Sequence, residues 1–63
     1  MNFNISEDMK IVRELLNMTQ EELAAELNVE PLTIKRIENS ITNTSKRTLD
    51  LFYDFIYQKK IYL

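Results

Sequence analysis

The sequence predicts a single small all-α domain of four to five helices, and three observations carry that reading. Apolar residues recur three and four positions apart along most of the chain. No run alternates apolar and polar residues as a half-buried strand does, and there is no glycine, which hairpin turns commonly use. Each periodic stretch opens on a residue suited to starting a helix: Ser6, Thr19, Pro31 and Ser45.

The elements follow in order. Ser6 with Glu7 and Asp8 marks the first start, because acidic groups favour the positive end of a helix dipole. Met9, Val12, Leu15 and Leu16 follow at helical spacing, and Asn17 tolerates the left-handed conformation that closes a helix. Thr19 and Glu22 have the spacing of a capping box, with Met18 and Leu23 placed as a hydrophobic staple across it. Leu23, Ala24 and Leu27 form the buried stripe of this second helix, and Asn28 ends it. Pro31 suits the first position of a third helix, where its missing N–H costs nothing, and Ile34 and Ile37 face inward. Residues 40–45 read as a polar loop with Ile41 as an anchor. Ser45 or Thr44 then caps a long last helix running from about Lys46 toward Lys60. On that helix Leu49, Phe52 and Ile56 are expected to face the core. Leu51, Phe55 and Tyr62 make a second apolar stripe.

Composition excludes several functions. A chain of 63 residues buries only about 60% of its unfolded surface, so its core needs nearly all of the 44% that is hydrophobic. Without His or Cys there is no disulfide, thiol or histidine chemistry and no ordinary zinc site. A nucleophile would have to be Ser or Thr activated by Lys, and no such spacing is present. The chain therefore reads as non-enzymatic, with no metal and no cofactor. No apolar run approaches the ~18 residues of a membrane span, and none resembles a signal peptide. A soluble cytoplasmic protein without membrane partners is expected. The formal charge of −2 carries no nucleic-acid signature, so DNA binding requires basic groups collected on one face.

The segment "TQEELAAELNVEPLTIKRIEN", residues 19–39, carries the strongest signal. Two helices joined by so short a turn cross steeply, at about 90–120°. The crossing needs a small residue where the backbones approach, a residue tolerant of positive φ, an apolar plug in the turn and apolar positions locking the second helix. Ala24, Asn28, Val29, Ile34 and Ile37 supply these in register.

"TQEELAAELNV" followed by "TIKRIEN" resembles the Cro and phage-repressor type helix-turn-helix, the XRE family, over roughly residues 9–56. The resemblance implies a lambda-repressor-like, five-helix domain whose third helix enters the major groove of double-stranded DNA. It further implies that Thr19 and Gln20 cap the second helix and touch a phosphate. Lys35 and Arg36 would lie on the exposed side of the recognition helix, with Asn39 contacting the backbone just after it. The sequence departs from the pattern at Asn28 and Ser40, where glycine is common, and at Pro31 and Leu32, where relatives often place polar base readers.

The residues themselves support a DNA face. Arg36 can donate a bidentate pair to guanine, Thr33 can hydrogen-bond a base or phosphate, and Leu32 can meet a thymine methyl group. Lys46 and Arg47 at the start of the last helix can grip phosphates, aided by free helix N–H groups. Read singly, they are equally well solvated charges. Glu38 is expected to pair with a base such as Arg13.

Two functions compete. One is a sequence-specific DNA-binding transcriptional regulator, repressor-like, with autoregulation among its options. The other is the same scaffold used as a protein-interaction or regulatory N-terminal module of a larger enzyme or toxin-type protein. Low net charge, Pro31 and Leu32 favour the second, and the Lys/Arg cluster favours the first. The second stripe of the last helix is expected to seat either a homodimer or a downstream domain of a longer chain.

Overall fold

Four helices make up most of the computed structural model, which describes residues 4–41 and 43–61. They are α1 (Ile5–Leu15), α2 (Gln20–Leu27), α3 (Pro31–Glu38) and α4 (Lys46–Lys59), and no strand occurs among the described residues.

The helix starts are local. Thr19 and Glu22 form the expected capping box: the Glu22 amide donates to Thr19 Oγ1 at 3.0 Å and the Thr19 amide to Glu22 Oε1 at 2.8 Å. Pro31 takes the first turn of α3. Ser45, rather than Thr44, caps α4, its Oγ accepting from the Thr48 amide at 3.2 Å. The first start corrects the sequence reading. Asn4 is the cap, with Oδ1 accepting from the Glu7 amide at 3.3 Å. Ser6 lies inside the first turn, buried, and its hydroxyl donates to the Glu38 carbonyl at 2.7 Å.

The helix ends share one device, built without glycine. Asn17, Asn28, Ser40 and Lys60 all take left-handed backbone, with φ of 55°, 57°, 56° and 57°. After each, the next amide reaches back across the last turn. Met18 donates to Arg13 O at 2.8 Å, Val29 to Ala24 O at 3.0 Å, Ile41 to Arg36 O at 3.0 Å and Ile61 to Ile56 O at 3.1 Å. This is the Schellman closure, which satisfies carbonyls that a helix end leaves open. Met18, Val29 and Ile61 also pack half-buried against the core. Ile41 does not: its side chain is exposed, and the turn uses only its amide. The anchor role expected for it is thereby corrected.

The core gathers Met9 and Val12 from α1, Leu23, Ala24 and Leu27 from α2, Ile34 and Ile37 from α3, and Phe52, Phe55 and Ile56 from α4. α2 and α3 are the most extensively packed helix pair, with the nearly inaccessible Ala24 in α2. On α1 the inward stripe continues through the half-buried Leu16, and Leu15, one residue round the helix, is exposed. The Tyr53 hydroxyl donates to Asp8 Oδ2 at 3.0 Å, tying α4 to the first turn of α1. Burial pushes the Tyr53 phenol up to about 12, and its bond to the Asp8 carboxylate adds to the rise.

α4 buries Phe52 and Ile56 as the sequence led us to expect, but not Leu49, and it adds Phe55. Its buried stripe is Thr48, Phe52, Phe55 and Ile56, a single helical row, whereas Leu49 and Leu51 are half-buried flanks. Phe55 is only 8% exposed and belongs to the core, with the Lys59 ammonium 5.7 Å from its ring centre. A buried polar residue hid this row. The Thr48 hydroxyl accepts from Ser45 Oγ at 3.0 Å, so a threonine fills a core-side position that an apolar pattern skips. The second stripe loses its main anchor, and Tyr62 lies outside the described residues.

Two outcomes follow. Ser40→Gly should raise stability by about 1 kcal/mol, since a left-handed L-residue costs about 1–2 kcal/mol and glycine returns part of that as unfolded-state entropy; chemical denaturation checks it. Phe55→Glu should cost more than about 3 kcal/mol through lost packing and a buried charge. It should then abolish far-ultraviolet helicity; a folded, helical variant would show that Phe55 is peripheral.

Candidate nucleic-acid interface

α3 has two unlike faces. Ile34, Ile37 and Glu38 are buried, while Leu32, Lys35 and Arg36, with Asn39 just beyond the helix, are exposed. The spacing of these four puts them in one row along the outer side.

The inner face is held by an ion pair. Arg13 Nε lies 2.7 Å from Glu38 Oε2, and Arg13 Nη2 donates to Oε1 at 2.9 Å. The Gln20 side-chain amide donates to the same Oε1 at 3.1 Å, and Arg13 Nη1 donates to the Met18 carbonyl at 3.1 Å. With Ser6 on its carbonyl, Glu38 joins the last turn of α3 to α1 and to the first residue of α2. The pairing of Glu38 with Arg13 is the one the sequence led us to expect. Glu38 is 3% exposed and Arg13 21%, so the carboxylate is the desolvated partner.

Burial pushes the Glu38 carboxyl up. The hydrogen bonds from Arg13 and Gln20 and the nearby positive charges outweigh that, leaving it below its usual value of 4.5. The Arg13 guanidinium is raised in turn, chiefly by its bond to Glu38. A carboxyl depressed by folding adds stability that is fully present above that usual value of 4.5 and is lost as pH falls through the lower folded value. Glu38→Ala should therefore cost about 3 kcal/mol at neutral pH, at the low end for a broken buried pair because Arg13 keeps some water. It should also flatten the fall in stability as pH drops below 4.5. Denaturation curves across that range read both effects.

A second group of residues converges beside α3. Thr33 of its first turn, Asn28, Val29 and Glu30 of the preceding turn, and Arg47 and Thr48 of α4 line one shallow depression. Thr33 and Arg47, far apart in sequence, are thus brought together, with one acid, Glu30, beside them. Lys46 is exposed and paired with Asp50 at 3.0 Å; such solvent-facing pairs are worth little and exchange readily. The charge pattern of α4 is unusual within this chain. α1 and α2 carry acids in their first turns, as the helix dipole favours, and α3 carries bases in its last. α4 instead begins with Lys46 and Arg47 and no acid. Glu22 and Glu26 line a different groove, with Leu16, Met18, Ala25, Phe55 and Lys59.

Two residues singled out from the sequence already have work. Thr19 is an exposed cap whose oxygen accepts the Glu22 amide, and Gln20 is half-buried with one N–H on Glu38. The roles of Ser6 and Thr48 gave no usable signal beyond hydroxyls spaced for local bonds. Among the described residues no cluster of potential metal ligands occurs, and no helix is long and apolar enough to cross a membrane.

An α2–α3 pair packed together across the three-residue turn Asn28–Glu30, with one basic helical face presented outward, is the architecture of a small DNA-binding module. The family profile described as helix-turn-helix matches residues 9–52. The chain belongs to this family, the Cro and phage-repressor type of DNA-binding transcription regulators with a lambda-repressor-like fold. No curated protein and no solved structure matches the chain.

Proposed function

We propose that this domain is a sequence-specific binder of double-stranded DNA acting as a repressor-like transcriptional regulator, with α3 in the major groove. One observation carries the proposal. The only carboxylate of α3, Glu38, is turned inward and neutralised by Arg13, so the helix offers Lys35 and Arg36 outward without an acid between them. A chain of net charge −2 thereby shows a locally positive reading face.

The roles divide by chemistry. Arg36 reads guanine through a bidentate pair, and Thr33 supplies a further polar contact. Lys35, Asn39 and the α4 residues Lys46 and Arg47 bind phosphates and fix register, helped by free N–H groups at the start of α4. Thr19 and Gln20 approach the backbone at the start of α2, Gln20 through the hydrogen-bonding capacity that Glu38 leaves free. A homodimer seated on Leu51, Phe55 and Tyr62 is not part of the proposal, since Phe55 lies in the core. The interaction-module reading keeps one observation in its favour: Glu30, exposed beside Arg47, repels phosphate.

Anisotropy titrations against a selected duplex and against random duplex separate the two. Arg36→Ala should cost about 1–3 kcal/mol on the selected site and much less on random DNA. Arg47→Ala should weaken both equally and reduce the salt slope by about 1. Absence of binding to any duplex at low salt would leave the interaction module as the better reading.

A further inference from the structure

We infer that the first turn of α3 recognises a 5-methylpyrimidine, thymine or 5-methylcytosine, by packing Leu32 against the methyl group in the major groove. This rests on the duplex-binding reading above and adds what one position of the site selects.

Leu32 is 53% exposed, and among the described residues it is the one large hydrophobic of α3 that faces solvent. It stands at the N-terminal end of the row that continues through Lys35, Arg36 and Asn39. The turn around it is poor in hydrogen-bonding groups. Pro31, exposed beside it, has no N–H. The Thr33 amide is spent on the Glu30 carbonyl at 2.9 Å, and Glu30 provides no side-chain cap. A base edge seated on Leu32 itself therefore meets carbon, with the Thr33 hydroxyl the nearest side-chain polar group of α3.

In the major groove thymine alone among the four bases presents a carbon group, the methyl on C5; the others present donors and acceptors. Leucine neither donates nor accepts. It gains by covering a methyl and loses by stripping water from an amino or carbonyl group. Such a contact is blind to whether the pyrimidine carries O4 or N4 and sensitive to whether C5 is methylated. The same contact therefore makes affinity respond to cytosine C5 methylation at that position. The expected size is about four-fold per methyl, that of one buried methylene-sized group.

The test uses the whole chain. A preferred duplex is selected from a random-sequence library and resynthesised with deoxyuridine in place of each thymine in turn, adenine remaining opposite. At the sensitive position, cytosine and 5-methylcytosine are then compared opposite guanine. The expected result is a position where removing the thymine methyl weakens binding about four-fold, with a similar ratio between 5-methylcytosine and cytosine. Leu32→Ala, an exposed change to a good helix former, should keep its circular dichroism and still bind duplex. Its methyl ratio should fall to about one in both pairs. A selected duplex with no uridine-sensitive position overturns this inference and leaves the DNA-binding reading standing. Methyl dependence that persists in Leu32→Ala also overturns it. Failure to select any duplex sinks both together.

Discussion

Glu38 is the residue on which the arrangement of this domain turns. An eight-residue helix such as α3 has too few turns to hold itself in water. It is held by Ile34 and Ile37 in the core and by Glu38 at its last turn. Burying a carboxylate is expensive unless its oxygens are satisfied and its charge matched. Here Oε2 receives Arg13 Nε, and Oε1 receives both Arg13 Nη2 and Gln20 Nε2. The ion pair fixes how α3 sits on α1 and α2, and it also removes the helix's acid from the outward face. One interaction therefore sets both the geometry and the sign of charge of the reading surface.

The same economy governs three other acids. Glu22 closes a capping box, Asp8 accepts from Tyr53, and Asp50 pairs with Lys46. A net charge read from composition cannot see that some carboxylates are committed to local partners while Arg36 and Lys35 are left outward. The distribution of charge, not its sum, is what a duplex would meet. Closure of the helix ends shows a comparable trade. With no glycine in the chain, asparagine, serine and lysine take the left-handed positions. The backbone strain this entails must be offset by bonds across the last turn and, at three of the four ends, by an apolar residue packing behind it.

Much of the fold was legible in the sequence because its signals act over three to five residues. The capping box at Thr19, Pro31 at the start of α3, the turn at Asn28 and the inward isoleucines of α3 each announce themselves within one or two helical turns. Taken in register they point to two helices joined by a tight turn, and the resemblance of "TQEELAAELNV" and "TIKRIEN" to the Cro and phage-repressor type points to the family that the profile match shows. The Arg13–Glu38 pair was also legible, because a lone acid between inward and outward faces needs a base and few are available on α1.

What only the tertiary structure decided was the rotation of each helix about its axis and the partners reached from afar. α4 has apolar residues on more than one side, and its own sequence permits Leu49 or Phe55 to face in; the surfaces of α1 and α2 choose Phe55. Ser6 is buried where the Glu38 carbonyl, 32 residues away, accepts its hydroxyl, and Thr48 is buried because its side of α4 turns inward, its oxygen accepting from Ser45 Oγ. Gln20 is tied to Glu38, and Thr33 and Arg47 line one depression, placements the intervening chain does not encode locally. Helix boundaries depend on bonds between near neighbours and can be read in order along the chain. The facing of a helix depends on what packs against it, which is set by residues distant in sequence and close only after folding.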